Sequence, residues 1–200
     1  MEIAGPDGSA YFLALHEDVY RPAEDTVLLA KAVHQVVRRG QAFLEVGCGA
    51  GLVSLVAARA GARVTATDLN PHAVTLLQHN AKQNGLTVRA IQTDLLQGVP
   101  GPFDVVAFNP PYLPTTPAEY VPGPLNLAFD GGPDGNATVL RFAGQVGALR
   151  PLPATVLVVH STLSDPVPLE AAMARHGYRC SILLEESHFY ERLTVRAFMR

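Results

Sequence analysis

Four consecutive residues carry side chains suited to chemistry on a planar amino group: Asn109, Pro110, Pro111 and Tyr112. They follow the apolar run 103–108, which predicts a buried strand, and the two prolines end that strand and fix the backbone. The Asn109 side-chain oxygen and the Pro110 carbonyl could accept the two N–H bonds of an amide or aromatic amine. Tyr112 could pack on its flat face. An amide nitrogen is a poor nucleophile because its lone pair is delocalised. The loop therefore predicts a reaction in which the protein holds such a nitrogen in the orientation needed for attack.

A glycine-rich loop follows an earlier apolar run and could approach a ligand with its backbone. Its glycines are Gly47, Gly49 and Gly51, led by the acid Glu45. Glycine lets a backbone turn sharply, and the helix predicted to follow presents free N–H groups and a positive dipole end. A dinucleotide fingerprint would need its third glycine at Leu52, which is not glycine. The spacing instead resembles the nucleoside-binding loop of S-adenosylmethionine (SAM) methyltransferases.

Two aspartates follow the next two predicted strands and could bind an adenosine. Asp68 comes directly after strand 63–67, where its carboxylate could accept hydrogen bonds from both ribose hydroxyls. Nicotinamide enzymes use the same position, so Asp68 alone does not separate the two cofactors. Asp94 follows strand 87–92 and resembles the acid that accepts from an adenine amino group, with Leu95 packed beside the ring. Asp94 could instead cap a short turn.

Predicted helices and strands alternate along the chain, which indicates an α/β fold with a mostly parallel sheet covered on both faces. In such a sheet, ligands bind beyond the carboxyl ends of the strands, where all the motifs above fall. The helices are predicted over 24–39, 52–60, 70–84, 136–149 and 165–176, and further strands over 42–46, 155–160, 178–184 and 193–198. The last two strands are expected to close the sheet as a hairpin, with Phe189 and Tyr190 between them packing or turning. His160, at the end of a strand, is a further site candidate.

Composition limits the function. The chain has 15 Lys and Arg against 18 Asp and Glu, a formal charge of −3, and 48% hydrophobic residues, which suits one folded domain over 1–200. Between Arg89 and Arg141 there is no Lys or Arg, so a phosphate backbone is not the expected ligand there. Residues 1–20 are interpreted as an N-terminal extension, and the proline-rich insertion 113–135 as a substrate lid.

Other classes are not indicated. No apolar run approaches the roughly 20 residues of a membrane span, and the first residues lack the pattern of a signal peptide. The cysteines, Cys48 and Cys180, do not form a disulfide framework, and no histidines have metal-ligand spacing. We expect a cytoplasmic protein with no metal site.

The segment 19–26, Val-Tyr-Arg-Pro-Ala-Glu-Asp-Thr, completes a pattern that resembles a known family. Together with the glycine loop, Asp68, Asp94 and the 109–112 loop, it resembles the HemK-like glutamine methyltransferases, and most closely their short eukaryotic and archaeal branch. The similarity extends from about Asp18 to the end, including the turn 130–135 and a last strand that begins at Glu191.

The resemblance implies a Rossmann-like, class I SAM-dependent methyltransferase fold with a seven-stranded sheet. It implies methylation of the glutamine side-chain nitrogen in the Gly-Gly-Gln loop of a peptide-chain release factor, with S-adenosyl-L-homocysteine as product. The implied cofactor contacts are Thr26, Glu45, Gly47, Gly49, Gly51, Asp68, Asp94, Leu95 and Asn109. Asn109, Pro110, Pro111 and Tyr112 would bind substrate, and Asn109, Pro110 and Tyr112 would be catalytic.

Three departures and two alternatives accompany this resemblance. Only about twenty residues precede the shared region, whereas the bacterial branch has an N-terminal helical domain there. The short branch works with a small zinc-binding activator, which one sequence does not reveal. Arg21 stands where an acid is more usual. The same Asn-Pro-Pro-Tyr loop would also serve an enzyme that methylates exocyclic amines of RNA or DNA, and a non-catalytic SAM-binding scaffold is the remaining alternative.

Overall fold

A computed structural model describes residues 1–115, 123, 125 and 128–200 of the chain. The described strands are β1 (Glu2–Ala4), β2 (Ala10–Phe12), β3 (Ala42–Val46), β4 (Arg63–Asp68), β5 (Val88–Gln92), β6 (Val105–Phe108), β7 (Thr155–Ser161), β8 (Arg179–Ser187) and β9 (Arg192–Met199). The described helices are α1 (Glu24–Val36), α2 (Leu52–Arg59), α3 (Pro71–Gln83), α4 (Ala137–Ala148) and α5 (Val167–Ala174). Each element predicted from the sequence is present, with ends that differ by a few residues.

Seven of these strands form one sheet in the order β5-β4-β3-β6-β7-β9-β8. Strands β5, β4, β3, β6 and β7 run parallel, and β9 and β8 are antiparallel to their neighbours, as expected of the closing hairpin. The direction in which strands are added reverses at β3. The chain places β4 and then β5 on one side of β3, and afterwards places β6 and β7 on its other side. The sequence-based α/β fold class with a seven-stranded sheet is confirmed.

The hydrophobic core has a part on each face of the sheet, because successive side chains of a strand point to opposite faces. On β6, Val105 and Ala107 pack with residues of α1 and α2, whereas Val106 and Phe108 pack with residues of α4 and α5. All four side chains are buried, as a central strand covered by helices on both sides requires.

The N-terminal segment forms a small hairpin, β1 with β2, that the sequence analysis did not predict. Two asparagines hold this segment in place, Asn80 within α3 and Asn84 directly after it. The Asn80 side chain exchanges hydrogen bonds with the backbone of Ala14, and the Asn84 side chain does so with the backbone of Phe12. The guanidinium of Arg59 lies 4.0 Å from the ring centre of Tyr11, a cation–π contact. Strands of three residues carry too short an alternation to be recognised from sequence.

The insertion 113–135 is described only in part. Residues 116–122, 124, 126 and 127 lie outside the described residues, so the lid assigned to this insertion stays a prediction. Among its described residues, Leu113 at the start of the insertion forms a parallel bridge with Asp130. Within the described chain, none of the helices has the length and apolar character needed to cross a bilayer.

Candidate functional site

A cavity of about 480 Å³ opens at the carboxyl edge of the parallel strands. Its volume falls in the range of small-molecule sites. Every residue singled out from the sequence as a cofactor or substrate contact lines it: Thr26, Glu45, Gly47, Gly49, Gly51, Asp68, Asp94, Leu95, Asn109, Pro110, Pro111 and Tyr112. Residues far apart in sequence meet there because β3, β4, β5 and β6 end at the same edge.

The glycine loop depends on backbone conformations that side chains disfavour. Gly47, Gly49 and Gly51 have φ values of 66°, 50° and 92°. A Cβ on Gly51 would also collide with the Leu77 side chain of α3. The loop is tied to β4, since the Gly49 N–H donates to Asp68 Oδ2 at 3.0 Å. The Asn70 N–H donates to the other carboxylate oxygen of Asp68 at 2.9 Å, so both oxygens keep capacity for a ligand hydroxyl.

Burial shifts the pKa of both carboxyls beneath this loop. Burial raises the pKa of Glu45 to about 8, and the negative charge of Asp68 adds to the rise, against the hydrogen bond from the Ser54 hydroxyl. Burial also raises the pKa of Asp68, although the N–H groups of Gly49 and Asn70 oppose the rise. Carboxyl groups in a cleft whose pKa is raised by burial are typical of a ligand site.

Asp94 and Leu95 occupy the cavity rim after β5. Asp94 Oδ2 accepts hydrogen bonds from the Arg141 guanidinium of α4 and, at 3.3 Å, from the Gln97 side chain. No described residue donates to Asp94 Oδ1, which remains an acceptor for a ligand. Leu95 has φ 55°, the one positive φ of a non-glycine residue in the described chain. Such a conformation costs of order 1–3 kcal/mol and is concentrated at functional sites.

Asp25 organises the substrate side of the cavity, and the sequence analysis gave it no role. It lies in the first turn of α1 and is 4% exposed. Its Oδ2 accepts from the Asn109 amide at 3.0 Å, the Tyr20 hydroxyl at 3.1 Å and the Tyr112 hydroxyl at 3.3 Å. The Thr26 hydroxyl donates to Oδ1 at 3.1 Å. The carboxylate therefore joins α1 to the Asn-Pro-Pro-Tyr loop.

The contact with Asp25 fixes which way the Asn109 amide faces. A carboxylate only accepts, so the amide nitrogen must face Asp25 and the amide oxygen must point away. Asn109 Oδ1 is buried and has no hydrogen-bond partner among the described residues. No described residue donates to the Pro110 carbonyl either. An unpaired buried acceptor costs about 1–3 kcal/mol, and a ligand N–H would recover it.

The tyrosines that contact Asp25 stay protonated at physiological pH. Burial raises the pKa of Tyr112 and of Tyr20, and the nearby negative charges of Asp25 and Glu191 raise both further. Each hydroxyl is therefore a hydrogen-bond donor that adds no charge to the cavity.

The turn 130–135 supports the Asn-Pro-Pro-Tyr loop from outside. The Gly131 N–H donates to the Leu113 carbonyl at 3.0 Å. A Cβ on Gly131 would lie 2.8 Å from the Pro111 carbonyl oxygen, and one on Gly135 would collide with the Tyr112 carbonyl oxygen. Only glycine leaves room for the two backbones to pack this closely.

Glu191 is a second residue that the sequence analysis placed in a motif without giving it a role. It lies just before β9, lines the cavity and accepts a hydrogen bond from the Ser161 hydroxyl at the end of β7. His160, the candidate beside Ser161, does not line the cavity. It is buried against Ser164, and burial lowers its pKa to about 4, which keeps it neutral. The unusual Arg21 is exposed.

Comparison with known proteins gives matches along most of the chain. The Methyltransferase small domain family matches residues 22–120. A Methanocaldococcus jannaschii protein named for N5-glutamine methylation is 41% identical, with 92% of each chain covered. A release factor glutamine methyltransferase from Moorella thermoacetica is 34% identical, and the match spans 79% of this chain but 60% of that enzyme. The solved E. cuniculi Mtq2-Trm112 complex, responsible for methylation of the eRF1 termination factor, has a chain that is 25% identical with a TM-score of 0.74, covering 92% of this chain and 99% of that one.

The sheet order, the glycine loop after β3, the acids after β4 and β5 and the Asn-Pro-Pro-Tyr loop after β6 define a class I SAM-dependent methyltransferase. The polar groups present fit the cofactor, because the cavity offers the backbone of the glycine loop and unused acceptor capacity on the Asp68 and Asp94 carboxylates. Solved structures of similar fold include two with SAM bound. The chain belongs to the HemK-like family of protein glutamine N5-methyltransferases, and its cofactor is SAM.

Proposed function

We propose that this protein methylates the side-chain nitrogen of a glutamine in the Gly-Gly-Gln loop of a peptide-chain release factor. One observation carries the proposal: the Asn109 amide is held by Asp25 so that its buried oxygen, without a partner among the described residues, is available to a ligand. A primary amide has two N–H bonds, and the Pro110 carbonyl is a second acceptor next along the chain. The activities for which the relatives are named support the same acceptor.

The cofactor side of the proposal uses residues of three strand ends and α1. Asp68 accepts from ribose hydroxyls, Asp94 Oδ1 from the adenine amino group, and Leu95 packs beside the ring. The glycine loop with Glu45, and Thr26, surround the remainder of the cofactor. When bound, SAM supplies a methyl group on a positively charged sulfur. Seven acidic residues and a single arginine are among the described lining residues. Even with Glu45 protonated by burial, the remaining six acidic residues outnumber the arginine and favour a cationic ligand centre.

The protein's own contribution to the reaction is orientation. Asn109 Oδ1 and the Pro110 carbonyl accept the two N–H bonds and thus direct the nitrogen lone pair towards the methyl carbon, while Tyr112 packs on the amide plane. The same two oxygens stabilise positive charge as it develops on nitrogen. No strong base is required, because the nitrogen proton becomes acidic once the new N–C bond forms and then passes to water. Positioning of this kind contributes up to about 7–11 kcal/mol.

The assembly and location of the protein belong to the proposal as well. The similarity to Mtq2 in complex with Trm112 supports a small activator subunit for this chain. Because release factors act at the ribosome, the proposal locates the protein in the cytoplasm. The packing of the N-terminal hairpin on α2 and α3 supports a single domain over 1–200.

The test is mass spectrometry of the Gly-Gly-Gln peptide after incubation of a recombinant release factor with the enzyme and SAM, with and without a co-expressed activator. The expected result is one added methyl group on glutamine. Asn109→Ala should still bind SAM, measured by calorimetry, and should lose transfer by roughly 100-fold or more. Full activity of Asn109→Ala would eliminate the mechanism.

A further inference from the structure

The tip of the β8–β9 hairpin exposes two large aromatic side chains. Phe189 is 91% exposed and Tyr190 is 86% exposed, the highest values among the large hydrophobic residues of the described chain. They contact chiefly each other, with ring centres 4.7 Å apart in an edge-to-face arrangement. The sequence predicts that these residues either pack or turn. They form the turn, and their side chains remain outside the core.

Turn chemistry does not explain these aromatics. The His188 N–H donates to the Glu191 carbonyl at 2.8 Å, which closes a loop whose two central residues are Phe189 and Tyr190. Two-residue hairpin loops favour asparagine, aspartate and glycine. Exposed apolar side chains gain nothing from folding, and a cluster of them marks an interaction site.

The tip adjoins the cavity through Glu191. This residue closes the turn with its backbone and lines the cavity, tethered by the Ser161 hydroxyl. Its charge also acts on the Tyr112 hydroxyl of the Asn-Pro-Pro-Tyr loop. The two aromatic residues therefore lie one and two positions from a residue of the cavity wall, next to any molecule that binds beside Glu191 and extends out of the cavity.

We propose that Phe189 and Tyr190, with the adjoining Glu191, form the docking surface for the polypeptide segment that carries the methylated glutamine. This inference rests on the proposed function and adds where the substrate protein is held. A glutamine side chain alone fills little of the site, so the affinity must come from flanking residues. Tyrosine and other aromatic residues contribute a large share of such binding energy.

The charges around the tip favour a polypeptide over a nucleic acid. Base-stacking aromatics work together with a positively charged groove. Here Glu185, Glu186 and Glu191 flank the tip. The two nearby cations are already paired, because Arg192 lies 3.6 Å from Glu185 and Lys31 lies 2.7 Å from Glu186. A neutral or basic peptide segment meets these carboxylates without repulsion, whereas a phosphate backbone does not.

The test compares steady-state methylation of a full-length release factor by the wild-type enzyme and by the double variant Phe189→Ser, Tyr190→Ser. We expect KM for the protein to rise about tenfold or more with kcat unchanged, the signature of lost uniform binding. The KM for a short peptide limited to Gly-Gly-Gln and its nearest neighbours should change little. Phe12→Ser is the matched control, because Phe12 is 46% exposed on the N-terminal hairpin and does not line the cavity.

The outcomes separate the two proposals. A wild-type enzyme that methylates no release factor overturns the proposed function and this inference with it. An active wild type whose KM is unchanged in the double variant overturns the inference alone. A fall in kcat at constant KM does the same, because the tip would then shape the catalytic loop and not hold the substrate. Equal SAM affinity in all three proteins shows that the fold is intact.

Discussion

The position of the Asn109 amide depends on a single carboxylate, Asp25, which four side chains contact as donors. Its neighbour Glu24 lies in the same turn of α1 and is exposed. Both carboxylates are favoured by the positive dipole end at the N-terminus of α1, but only Asp25 contacts Asn109. Substituting each residue in turn therefore separates the effect of the contact from the effect of charge.

Asp25→Asn should lower kcat by roughly 10- to 100-fold while SAM affinity falls much less. An amide at position 25 has two donors and one acceptor, so it cannot receive all of these hydrogen bonds, and Asn109 loses its fixed orientation. Methylation kinetics and calorimetry measure the two effects.

Glu24→Gln provides the control for this prediction and should leave kcat unchanged. If Asp25→Asn keeps wild-type kcat, Asn109 is oriented by something other than this carboxylate. If Glu24→Gln lowers kcat equally, the charge of the helix terminus is responsible.

Glu45 predicts a pH dependence of stability. Its pKa is raised by burial to about 8 in the folded protein, above the value of 4.5 for an unperturbed glutamate. The folded state therefore holds an extra proton between these values, and the unfolding free energy of the ligand-free protein falls as pH rises through this window. Glu45→Gln does not titrate, so its stability relative to wild type should rise between pH 5 and pH 8.5 by a few kcal/mol.

Urea unfolding at the two pH values measures this difference. At pH 5 the variant and the wild type should be close, because protonated glutamate and glutamine are similar in shape and charge. The exposed Glu24→Gln should show no growing difference with pH. A constant difference between Glu45→Gln and wild type would mean that Glu45 is ionised in the fold throughout.

At the scale of elements, the turn 130–135 positions the loop that follows β6. Gly135 has φ 73°, and a Cβ there would collide with the Tyr112 carbonyl oxygen. Gly135→Ala should therefore lower kcat more than the backbone strain alone explains, because it displaces Tyr112. Gly98 has φ 67°, and a Cβ there would meet no other atom within 4 Å, so Gly98→Ala carries the strain without the collision.

Comparing the two alanine variants by thermal unfolding and by methylation kinetics isolates the collision. Both should lose some stability, of order 1 kcal/mol from the left-handed backbone. Only Gly135→Ala should lose activity, and similar kcat values for the two would refute a positioning role of the turn.

The elements and the cavity were predictable because their signals are local. Apolar periodicity and boundaries at glycine or proline indicated each strand of the sheet and each helix that covers it. The motifs after β3, β4, β5 and β6 converge because parallel strands end at the same edge of the sheet. The contacts of Asp25 and Glu191 were not predictable, since they join residues 84 and 30 positions apart. The hairpin β1–β2 was missed because it depends on Asn80 and Asn84, which are distant in sequence.

At the scale of the whole molecule, folding changes the charge pattern seen along the chain. The stretch between Arg89 and Arg141 has no Lys or Arg, yet Arg141 itself lies on the cavity rim against Asp94. The cavity is therefore not free of positive charge, but its one arginine among the described lining residues is already paired. A phosphate backbone is therefore disfavoured by the excess of acidic residues at the cavity, and not by an absence of Lys and Arg.

The excess of carboxylates at the cavity predicts that the protein binds nucleic acid weakly. Fluorescence anisotropy with a labelled single-stranded RNA and a labelled DNA duplex should show no saturable binding tighter than roughly 10⁻⁴ M at physiological salt. The reason is that the one arginine among the described cavity residues is paired with Asp94, so the cavity offers no free cation to replace the counterions of a phosphate backbone. A release-factor fragment containing the Gly-Gly-Gln loop should bind in the same buffer and serves as the positive control. Micromolar binding of RNA with a steep salt dependence would contradict the prediction. It would instead favour methylation of an exocyclic amine, since the Asn109 and Pro110 acceptors would hold that planar NH₂ group equally well.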